Sequence, residues 1–379
     1  MPQGVSVCIF AGHTGGHLFP ALAFAEQFKE KFPESKVTLI TSPKARPILA
    51  SMEGGAARPF DRVDYMNEFP FSSGISLRTF RFLLEFVRAF FISYSFLSQI
   101  KPDLCVGFGS YVSYPGMRLA VWKKIPTFIH EQNKIVGKAT RMLARHVDCV
   151  AMSFGETLCE PSPKQIHVVG LPVRSQLVQA SRRFQRSFEV PTAQKPLKIM
   201  ITGGSQGAHR LNELILESFS LFLPEERQKF AVTHITGNKD FDWVTESYRQ
   251  LGMPFKTFPF YEKMHELYQE ADIAMTRAGA NTLFELALFA LPAVVVPFPS
   301  SAEGHQDANA GYFESHRGIC VKSEKELTPQ WLKNKMTELS STEIRKGYSE
   351  SLSRLAPQEA ALKLTEIAGE LLPGVAVLR

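Results

Sequence analysis

The side chains of this chain that are best suited to chemistry follow a short apolar run at residues 273–276. A tight turn, Arg277-Ala278-Gly279-Ala280, comes next, and a predicted helix begins near Asn281 and carries Glu285 one turn later. A helix start presents N–H groups and the positive end of its dipole, which suits a phosphate. A carboxylate facing the same crevice can accept two hydrogen bonds from a ribose diol. The pattern predicts a nucleotide-sugar site, and the alternative is an ordinary strand and helix with a solvated glutamate.

Three glycine-containing loops are further candidate phosphate-binding turns. They span residues 12–17 (GHTGGH), 107–111 (GFGSY) and 203–208 (GGSQGA), and each follows an apolar run typical of a buried strand. None has the G-x-G-x-x-G spacing, and residues 40–44 provide no acid for an adenosine ribose, which argues against a nicotinamide enzyme. No Gly-Lys-Ser/Thr follows these loops, which excludes a P-loop. Together they predict a cleft lined by phosphate-binding turns.

The elements that must position these loops are strands alternating with helices. The predicted strands of the first half are the apolar runs at residues 5–11, 37–41, 104–106, 127–129, 149–152 and 167–169. A helix is predicted to open near Leu18, residues 170–174 read as a junction, and a second alternating series begins at 198–202. A last helix is expected from about 357 to 372. This order predicts α/β halves, each a doubly wound parallel sheet with ligands at the carboxyl ends of its strands.

The amino-acid composition of the chain limits the kinds of protein that it can be. With 379 residues, 44% of them hydrophobic, the chain can bury two cores, so two domains are expected. The net charge of +6 fits an anionic substrate or an anionic membrane surface, and no long Lys/Arg run indicates nucleic acid. The five cysteines are scattered without a C-x-x-C pair, which predicts reduced thiols, a cytosolic setting and no zinc site. The chain enters a strand almost at once, so no signal peptide is expected.

The stretch from 75 to 97 is dense in Phe and Leu, but four charged residues interrupt it: Arg78, Arg81, Glu85 and Arg88. A membrane-spanning helix needs about 20 largely uncharged residues, so this stretch is not predicted to span. A basic, aromatic-rich helix suits the interface of an anionic bilayer. We expect residues 92–97 to lie mostly in the protein core. The earlier part of the stretch is expected to form a membrane patch near Trp122-Lys123-Lys124. That patch comprises Ile75, Arg78, Phe82 and Arg88.

Eight motifs follow one another along nearly the whole chain: GHTGGHLFPALA (12–23), GFGSYVSYP (107–115), HEQN (130–133), GLPVR (170–174), GGSQGAHRLN (203–212), FYEKM (260–264), RAGANTLFE (277–285) and HQDANA (305–310). In this ordered set the chain resembles the MurG family, the UDP-N-acetylglucosamine transferases that make lipid II in peptidoglycan synthesis. The resemblance implies the GT-B fold, with two Rossmann-like domains facing across a cleft. It implies an N-terminal acceptor and membrane-associating domain at 1–172, onto which a C-terminal helix at about 350–379 packs back. A UDP-sugar-binding domain would occupy 173–349.

The implied reaction is inverting transfer of N-acetylglucosamine from UDP-N-acetylglucosamine to a polyprenyl-diphosphate-linked muramyl peptide. The acceptor group would be the 4-hydroxyl of the N-acetylmuramoyl unit, so that lipid I becomes lipid II. Such an enzyme would bind peripherally at the cytoplasmic face of the bacterial membrane, with cell-wall synthesis proteins as candidate partners and no nucleic acid. No cofactor is expected to be obligatory, because no carboxylate cluster suggests a metal, and helix dipoles with Arg174 can replace one.

The resemblance also implies roles for residues of the first half. Thr14, Gly15 and Gly16 would lie beside the sugar and the acceptor phosphates, and Asn133 would contact the transferred sugar. The acceptor and phosphate loops would also include His13, Gly107, Gly109, Ser110 and Tyr111.

In the second half, Ser205 would bind the UDP phosphates together with Arg174 from the junction. Tyr261 stands where a backbone group of the family meets uracil. Ala280, Asn281 and Thr282 would wrap the nucleotide and Glu285 would hold its ribose. The hydroxyls of the N-acetylglucosamine would be recognised by His305 and Gln306.

Three positions depart from the family pattern. His13 stands where glycine is usual, Leu171 where asparagine is usual, and Asn281 where an aliphatic residue is usual. His13 could crowd the acceptor diphosphate or, if charged, strengthen its binding.

The implied chemistry needs a base within hydrogen-bond reach of the attacking hydroxyl. His17 is the candidate, because a neutral imidazole is available near pH 7, and its alternative is a structural role at a helix start. Glu131 is the reserve base, or else it orients its own loop. Arg174 and helix-end N–H groups would stabilise the leaving UDP.

Two other functions stay open. One is a GT-B transferase acting on another lipid or on a small-molecule acceptor, and the HEQN and GGSQGA motifs argue against it. The other is a non-catalytic membrane scaffold that only senses a nucleotide sugar. The set Arg174, Ser205, Glu285 and Gln306 argues against a loss of donor binding.

Overall fold

The computed structural model describes residues 4–51, 59–67, 77–157, 159, 163–204 and 208–372. The chain forms two compact units: Met1–Ser175 together with Glu359–Arg379, and Gln176–Gln358. The domain limits expected from the sequence, at 172 and 349, stay predictions. All five cysteines are free thiols, and four of them are buried.

The first unit is built on a seven-stranded sheet in the order β3-β2-β1-β4-β5-β6-β7, with every neighbouring pair parallel. Its strands are β1 (Ser6–Ala11), β2 (Lys36–Thr41), β3 (Arg62–Tyr65), β4 (Leu104–Phe108), β5 (Thr127–Glu131), β6 (Cys149–Met152) and β7 (Ile166–Val168). The helices along this part of the chain are α1 (Gly15–Lys31), α2 (Arg46–Ser51), α3 (Leu77–Ile100), α4 (Ser110–Trp122) and α5 (Lys138–Leu143).

The second unit has a six-stranded parallel sheet in the order β10-β9-β8-β11-β12-β13. Its strands are β8 (Leu197–Thr202), β9 (Phe230–Ile235), β10 (Phe255–Phe258), β11 (Ile273–Thr276), β12 (Ala293–Val295) and β13 (Cys320–Val321). The remaining helices are α6 (Ser175–Arg182), α7 (His209–Ser220), α8 (Pro224–Arg227), α9 (Phe241–Leu251), α10 (Met264–Glu270), α11 (Ala280–Leu288), α12 (His305–Ser315), α13 (Pro329–Glu338), α14 (Thr342–Ser353) and α15 (Ala360–Leu371). Of these, α15 belongs to the first unit.

Both faces of the first sheet are covered, which explains why its strands read as continuous apolar runs. Along β1, Val7 and Ile9 enter one core with side chains of α1 and α15, whereas Cys8 and Phe10 enter a second core with side chains of α3 and α4. This alternation is the period of two expected for a strand. The prediction of two doubly wound α/β domains is confirmed.

Two element boundaries differ from the sequence prediction. β4 continues through Phe108, because Gly107 packs in the sheet: a Cβ there would lie 3.2 Å from Met117 Cγ and 3.3 Å from Ile129 Cγ1. Gly107 therefore lies in a strand and not in the loop that follows. α1 begins at Gly15 rather than near Leu18, which leaves Pro20 inside the helix and beyond its first turn.

The strand order of each sheet reverses beside its first strand. β1 lies between β2 and β4, and β8 lies between β9 and β11. In open parallel sheets ligands bind at the carboxyl ends of the two strands that flank such a reversal. The loops after β1 and β4, and those after β8 and β11, are therefore the expected sites.

Candidate active site

The loop after β1 places His17 in the first turn of α1. Thr14 is the N-cap residue in an extended conformation, and its carbonyl accepts hydrogen bonds from the backbone N–H groups of His17 and Leu18, both at 3.0 Å. Thr14 and Gly16 are exposed, whereas His17 is half-buried. The first turn of this 17-residue helix carries the positive end of the dipole, so it suits an anionic ligand.

Two glycines form a slot for the His17 imidazole. A Cβ on Gly12 would lie 2.8 Å from His17 Cδ2 and 2.7 Å from Ser110 Cβ. A Cβ on Gly109 would lie 3.1 Å from both Cε1 and Nδ1 of His17, and Gly109 has a positive φ of 71°. The loops after β1 and β4 therefore meet around this ring. Ser110 and Tyr111 open α4 beside it, and Ser110 holds a φ of 67°, which is uncommon for a residue other than glycine.

The HEQN segment supplies the polar contacts of His17. Gln132 is buried, and its Oε1 lies 3.2 Å from His17 Nδ1. Burial lowers the pKa of His17 below its ordinary value, while the charge of Glu131 and the hydrogen bond to Gln132 oppose part of that shift. The ring is therefore neutral near pH 7 and able to take up a proton.

Glu131 uses both carboxylate oxygens to shape the loop that follows β5. Its Oε1 accepts hydrogen bonds from the backbone N–H (3.1 Å) and the side-chain amide (3.4 Å) of Asn133. Its Oε2 accepts one from the backbone N–H of Gly137 at 3.0 Å. These contacts fit the orienting role that the sequence left open for this residue, and they hold Asn133 in the loop after β5.

Arg174 lies beside α1. Its guanidinium stacks over the Phe19 ring, 4.4 Å from the centroid, and the next residue, Ser175, donates its N–H to Glu26 Oε2 at 3.0 Å. Phe19 also approaches Gly15, where a Cβ would lie 2.9 Å from its Cε2. Arg174 thus adds a positive charge near the start of α1.

The turn after β11 is joined to the segment after β12 by Gln306. Its Oε1 accepts hydrogen bonds from the backbone N–H of Ala278 at 3.1 Å and of Phe298 at 2.9 Å. The amide nitrogen of Gln306 is left as a donor. α11 begins at Ala280, directly after this turn, so its positive dipole end lies at the predicted phosphate site.

Glu285 is a buried carboxylate on α11, with 7% of its surface exposed. The hydroxyl of Tyr268, on α10, donates to Glu285 Oε2 at 2.7 Å. Because Tyr268 is itself buried, this bond fixes the carboxylate group in one orientation. The Tyr268 contact was not foreseen from the sequence.

Arg277 is a second residue that the sequence reasoning did not assign. Its guanidinium is buried, pairs with Glu324, and donates to the carbonyls of Val296 at 3.2 Å and Pro297 at 3.3 Å. It therefore anchors the segment after β12 to the end of β11. An arginine that directly follows an apolar strand was the available signal, since a buried charge requires a partner.

The remaining predicted donor residues lie at the same edge of the second sheet. Tyr261 follows β10, where its hydroxyl donates to Glu266 Oε2 at 2.7 Å and its ring centroid lies 4.8 Å from that of Phe258. His305 opens α12, and its Nε2 lies 3.6 Å from Glu303 Oε2. In the part of the chain that the structure describes, no group of three or more His, Cys, Asp or Glu side chains is arranged to hold a metal ion.

Two family models match most of the chain. The N-terminal domain of glycosyltransferase family 28 matches residues 7–152, and the C-terminal domain of the same family matches residues 198–363. A protein of Desulfotalea psychrophila named UDP-N-acetylglucosamine--N-acetylmuramyl-(pentapeptide) pyrophosphoryl-undecaprenol N-acetylglucosamine transferase is 34% identical over 97% of this chain and 96% of its own. The chain belongs to the MurG family.

Further relatives agree with this membership. A transferase of the same name from Thermodesulfovibrio yellowstonii is 31% identical over 97% of this chain and 98% of its own. The crystal structure of Acinetobacter baumannii MurG superposes with a TM-score of 0.73, at 26% identity, over 97% of this chain and 99% of that one. The predicted GT-B class, with a Rossmann-like sheet in each domain, is confirmed.

In this MurG-family protein, the predicted site residues fall into two groups, one in each unit. The loops after β1, β4 and β5 of the first unit, with the junction, bring together His13, Thr14, Gly15, Gly16, His17, Gly109, Ser110, Tyr111, Glu131, Asn133 and Arg174. The carboxyl edge of the second sheet carries Tyr261, Ala280, Asn281, Thr282, Glu285, His305 and Gln306. Their individual roles stay predictions.

Several predicted residues fall outside the described part of the chain. Ser205 and Ile75 are not among the described residues, and the structure places Arg78 and Phe82 in α3 without describing their side chains. Arg88 is described, and it is exposed on α3. Of the described helices, none is both long enough and apolar enough to cross a membrane.

Proposed function

We propose that this protein transfers N-acetylglucosamine from UDP-N-acetylglucosamine to lipid I and so forms lipid II. The observation that carries the proposal is its likeness to transferases of that name along 97% of the chain, at up to 34% identity. The motif residues of each unit lie at the carboxyl edge of its parallel sheet, where open α/β sheets bind their ligands.

In the second unit, the donor nucleotide is bound at the turn after β11. The start of α11 faces the diphosphate, and Glu285 accepts two hydroxyl hydrogen bonds from the ribose. Tyr268 keeps that carboxylate oriented while it is free of ligand. Gln306 holds the turn through its amide oxygen and offers its amide nitrogen to a sugar hydroxyl.

In the first unit, His17 is the general base. Its Nε2 takes the proton of the acceptor 4-hydroxyl as that oxygen attacks the anomeric carbon, and the bond from that carbon to UDP breaks with inversion. UDP leaves with the bonding electron pair. Glu131 is less suited to this step, because both of its oxygens already accept hydrogen bonds from the loop 133–137. Arg174 and the start of α1 supply positive charge for a diphosphate, and no obligatory metal or cofactor is invoked.

The test is a transfer assay with radiolabelled UDP-N-acetylglucosamine and a short-chain lipid I analogue in detergent. Labelled disaccharide product is expected only when both substrates are present. Glu285→Ala is the control that removes the proposed ribose contact and leaves the first unit unchanged. Tight UDP binding without product, under conditions where the Desulfotalea psychrophila relative forms it, would contradict the proposed activity.

We also propose that one face of α3 contacts an anionic membrane at the cytoplasmic side. Four exposed apolar residues line this α3 apolar face: Leu84, Val87, Phe91 and Tyr94. Phe91 is 72% exposed, and Trp122 on the neighbouring α4 is 60% exposed. Arg88 lies on the same side of α3, Arg118 stacks on Trp122, and Lys123 stacks on Tyr94. Exposed aromatic side chains among cations suit the headgroup region of a bilayer.

Sedimentation with anionic vesicles at low salt tests this surface. Phe91→Asp should reduce vesicle binding, and it should leave transfer to a detergent-soluble acceptor intact because Phe91 is outside the candidate active site. Val190→Asp is the matched control, since Val190 is also exposed (69%) but lies in the second unit. Equal binding by both variants would place the membrane surface elsewhere.

A further inference from the structure

A buried glutamine connects the candidate base to the ends of two strands. Gln132 is 2% exposed, and its side-chain nitrogen donates to the carbonyls of Phe108 at 3.1 Å and His130 at 3.2 Å. Its side-chain oxygen lies 3.2 Å from His17 Nδ1. The amide therefore has carbonyl oxygens on one side and an imidazole on the other.

The chemistry of these partners decides which way the amide points. Of the two ends of a side-chain amide only the NH₂ group can donate to carbonyl oxygens, so the NH₂ end of Gln132 must face Phe108 and His130. The reverse orientation would set the amide oxygen against both carbonyls and leave buried acceptors without donors. Gln132 Oε1 consequently faces His17. An amide oxygen only accepts hydrogen bonds, so the proton of the neutral His17 ring must be on Nδ1.

We infer that Gln132 is a positioning residue that fixes the tautomer of His17, with Nδ1 protonated and Nε2 left to accept the proton of the attacking hydroxyl. The inference rests on the proposed function for its catalytic consequence, but the tautomer itself does not depend on it. Gln132 acts through His17 and touches no substrate.

The glycine slot and Gln132 have separate tasks. Gly12 and Gly109 fix where the ring lies, because a Cβ at Gly12 would overlap its Cδ2 atom and a Cβ at Gly109 would crowd its Cε1 and Nδ1 atoms. The slot does not distinguish the two neutral tautomers, which have the same shape. That choice is made by the hydrogen-bond acceptors that face Nδ1, which are the Gln132 oxygen at 3.2 Å and, more weakly, the Phe108 carbonyl. In water the two tautomers interconvert freely, so a base that must present Nε2 needs such a partner.

Nuclear magnetic resonance measures the tautomer directly. In protein labelled with ¹⁵N-histidine, two-bond couplings from the ring protons to Nδ1 and Nε2 show which nitrogen carries hydrogen. His17→Gln identifies the His17 signals by their loss. We expect the Nδ1–H form in the wild type near pH 7.5, and a wild-type ring with its proton on Nε2 would overturn the inference without any variant of Gln132.

Gln132→Met tests the cause, because methionine has a similar length but offers neither the acceptor nor the donors. The His17 signals should move toward the Nε2–H form. Turnover should fall about 10- to 100-fold, by analogy with removing the hydrogen-bond partner of a metal-ligating histidine, with KM for UDP-N-acetylglucosamine within about two-fold. An unchanged tautomer in a folded Gln132→Met protein would mean that the residue is only structural.

Gln132→Glu is the conservative comparison. Buried against two carbonyls, this carboxyl is expected to be protonated, so that its hydroxyl donates to one carbonyl and its other oxygen still accepts from His17 Nδ1. It should keep the Nδ1–H form and recover most of the turnover. Of the two variants, only Gln132→Met should shift the pH profile of turnover. Glu131 and His13 are the other titratable groups whose charges act on His17, and both variants retain them.

These readouts separate two failures. A correct tautomer in a protein that transfers no sugar would contradict the proposed function and leave the Gln132 inference standing. Sugar transfer by a protein whose His17 carries its proton on Nε2 would contradict the Gln132 inference and leave the proposed function standing.

Discussion

Lowering the pH should destabilise the second unit through His234, a buried histidine on β9. Its Nδ1 lies 3.0 Å from the hydroxyl of Tyr248, and its Nε2 lies 3.0 Å from Asn212 Oδ1. Asn212 donates its amide to the Thr236 carbonyl at 3.2 Å and to Asp240 at 2.8 Å, so its oxygen faces the histidine. The neutral ring is satisfied, whereas burial disfavours the charged form and lowers the pKa of His234 to about 3.

The size of the effect follows from the folded and unfolded pKa values. An unfolded histidine titrates near 6.5, so below that pH the unfolded chain binds a proton that the folded chain does not bind until about pH 3. The contribution of His234 to the free energy of unfolding is thus fully present above pH 6.5 and is lost as the pH falls, by about 1.4 kcal/mol per pH unit. Between pH 7 and pH 5 the loss is about 2 kcal/mol.

Urea unfolding at pH 7 and pH 5 measures this loss. In a Trp122→Phe background the remaining tryptophans, Trp243 and Trp331, report on the second unit. His234→Gln cannot titrate, so between the two pH values it should lose about 2 kcal/mol less than the parent. His316→Gln, at an exposed histidine, should follow the parent. Equal losses in His234→Gln and the parent would refute the reasoning.

Three further predictions concern the candidate site. Glu285→Ala should weaken UDP binding roughly ten- to a hundred-fold, since a hydrogen bond to a charged group contributes about 1.5–3 kcal/mol; calorimetry showing full affinity in a folded protein would rule out the ribose contact. His17→Ala should lower turnover about 10²–10⁴-fold while calorimetric UDP affinity stays nearly intact, and turnover within a few-fold of wild type would exclude it as the base. Gln306→Glu keeps an acceptor for the N–H groups of Ala278 and Phe298 but loses the amide donor, so KM for UDP-N-acetylglucosamine should rise about 3- to 10-fold with UDP affinity unchanged. A parallel loss of UDP affinity in that variant would show that the turn itself had moved.

The positions of the site loops could be predicted from the sequence because their signals are local. Apolar runs ending in glycine-rich turns identify strand ends, and alternating strands and helices bring those ends to one edge of a sheet. Gly12 and Gly109 were visible as loop glycines for this reason. Their function as walls of a slot around His17 was not visible, because it depends on the distance between two loops far apart in the chain.

The polar partners of the functional residues were the part that the sequence did not reveal. Tyr268 and Glu285 are 17 residues apart, and Arg277 and Glu324 are 47 residues apart. Such pairs depend on how helices pack on the sheet, which no local pattern encodes. Gln132 lay inside a motif, yet its contact with His17 crosses 115 residues. The end of β4 also differed from the sequence prediction, because the packing of Gly107 between Met117 and Ile129 keeps that residue in the strand.

The chain leaves the first unit at Ser175 and returns to it only at Glu359, and this route has a consequence for biosynthesis. Leu364, Ile367 and Ala368 of α15 belong to the same buried core as α1, so that core is incomplete until α15 has been translated. The intervening unit is continuous in sequence and can fold first. At about 5–20 residues per second, the ribosome needs roughly ten to forty seconds to make it. Throughout that interval the apolar side of α1 that α15 later covers is a surface on which a chaperone can bind the nascent chain.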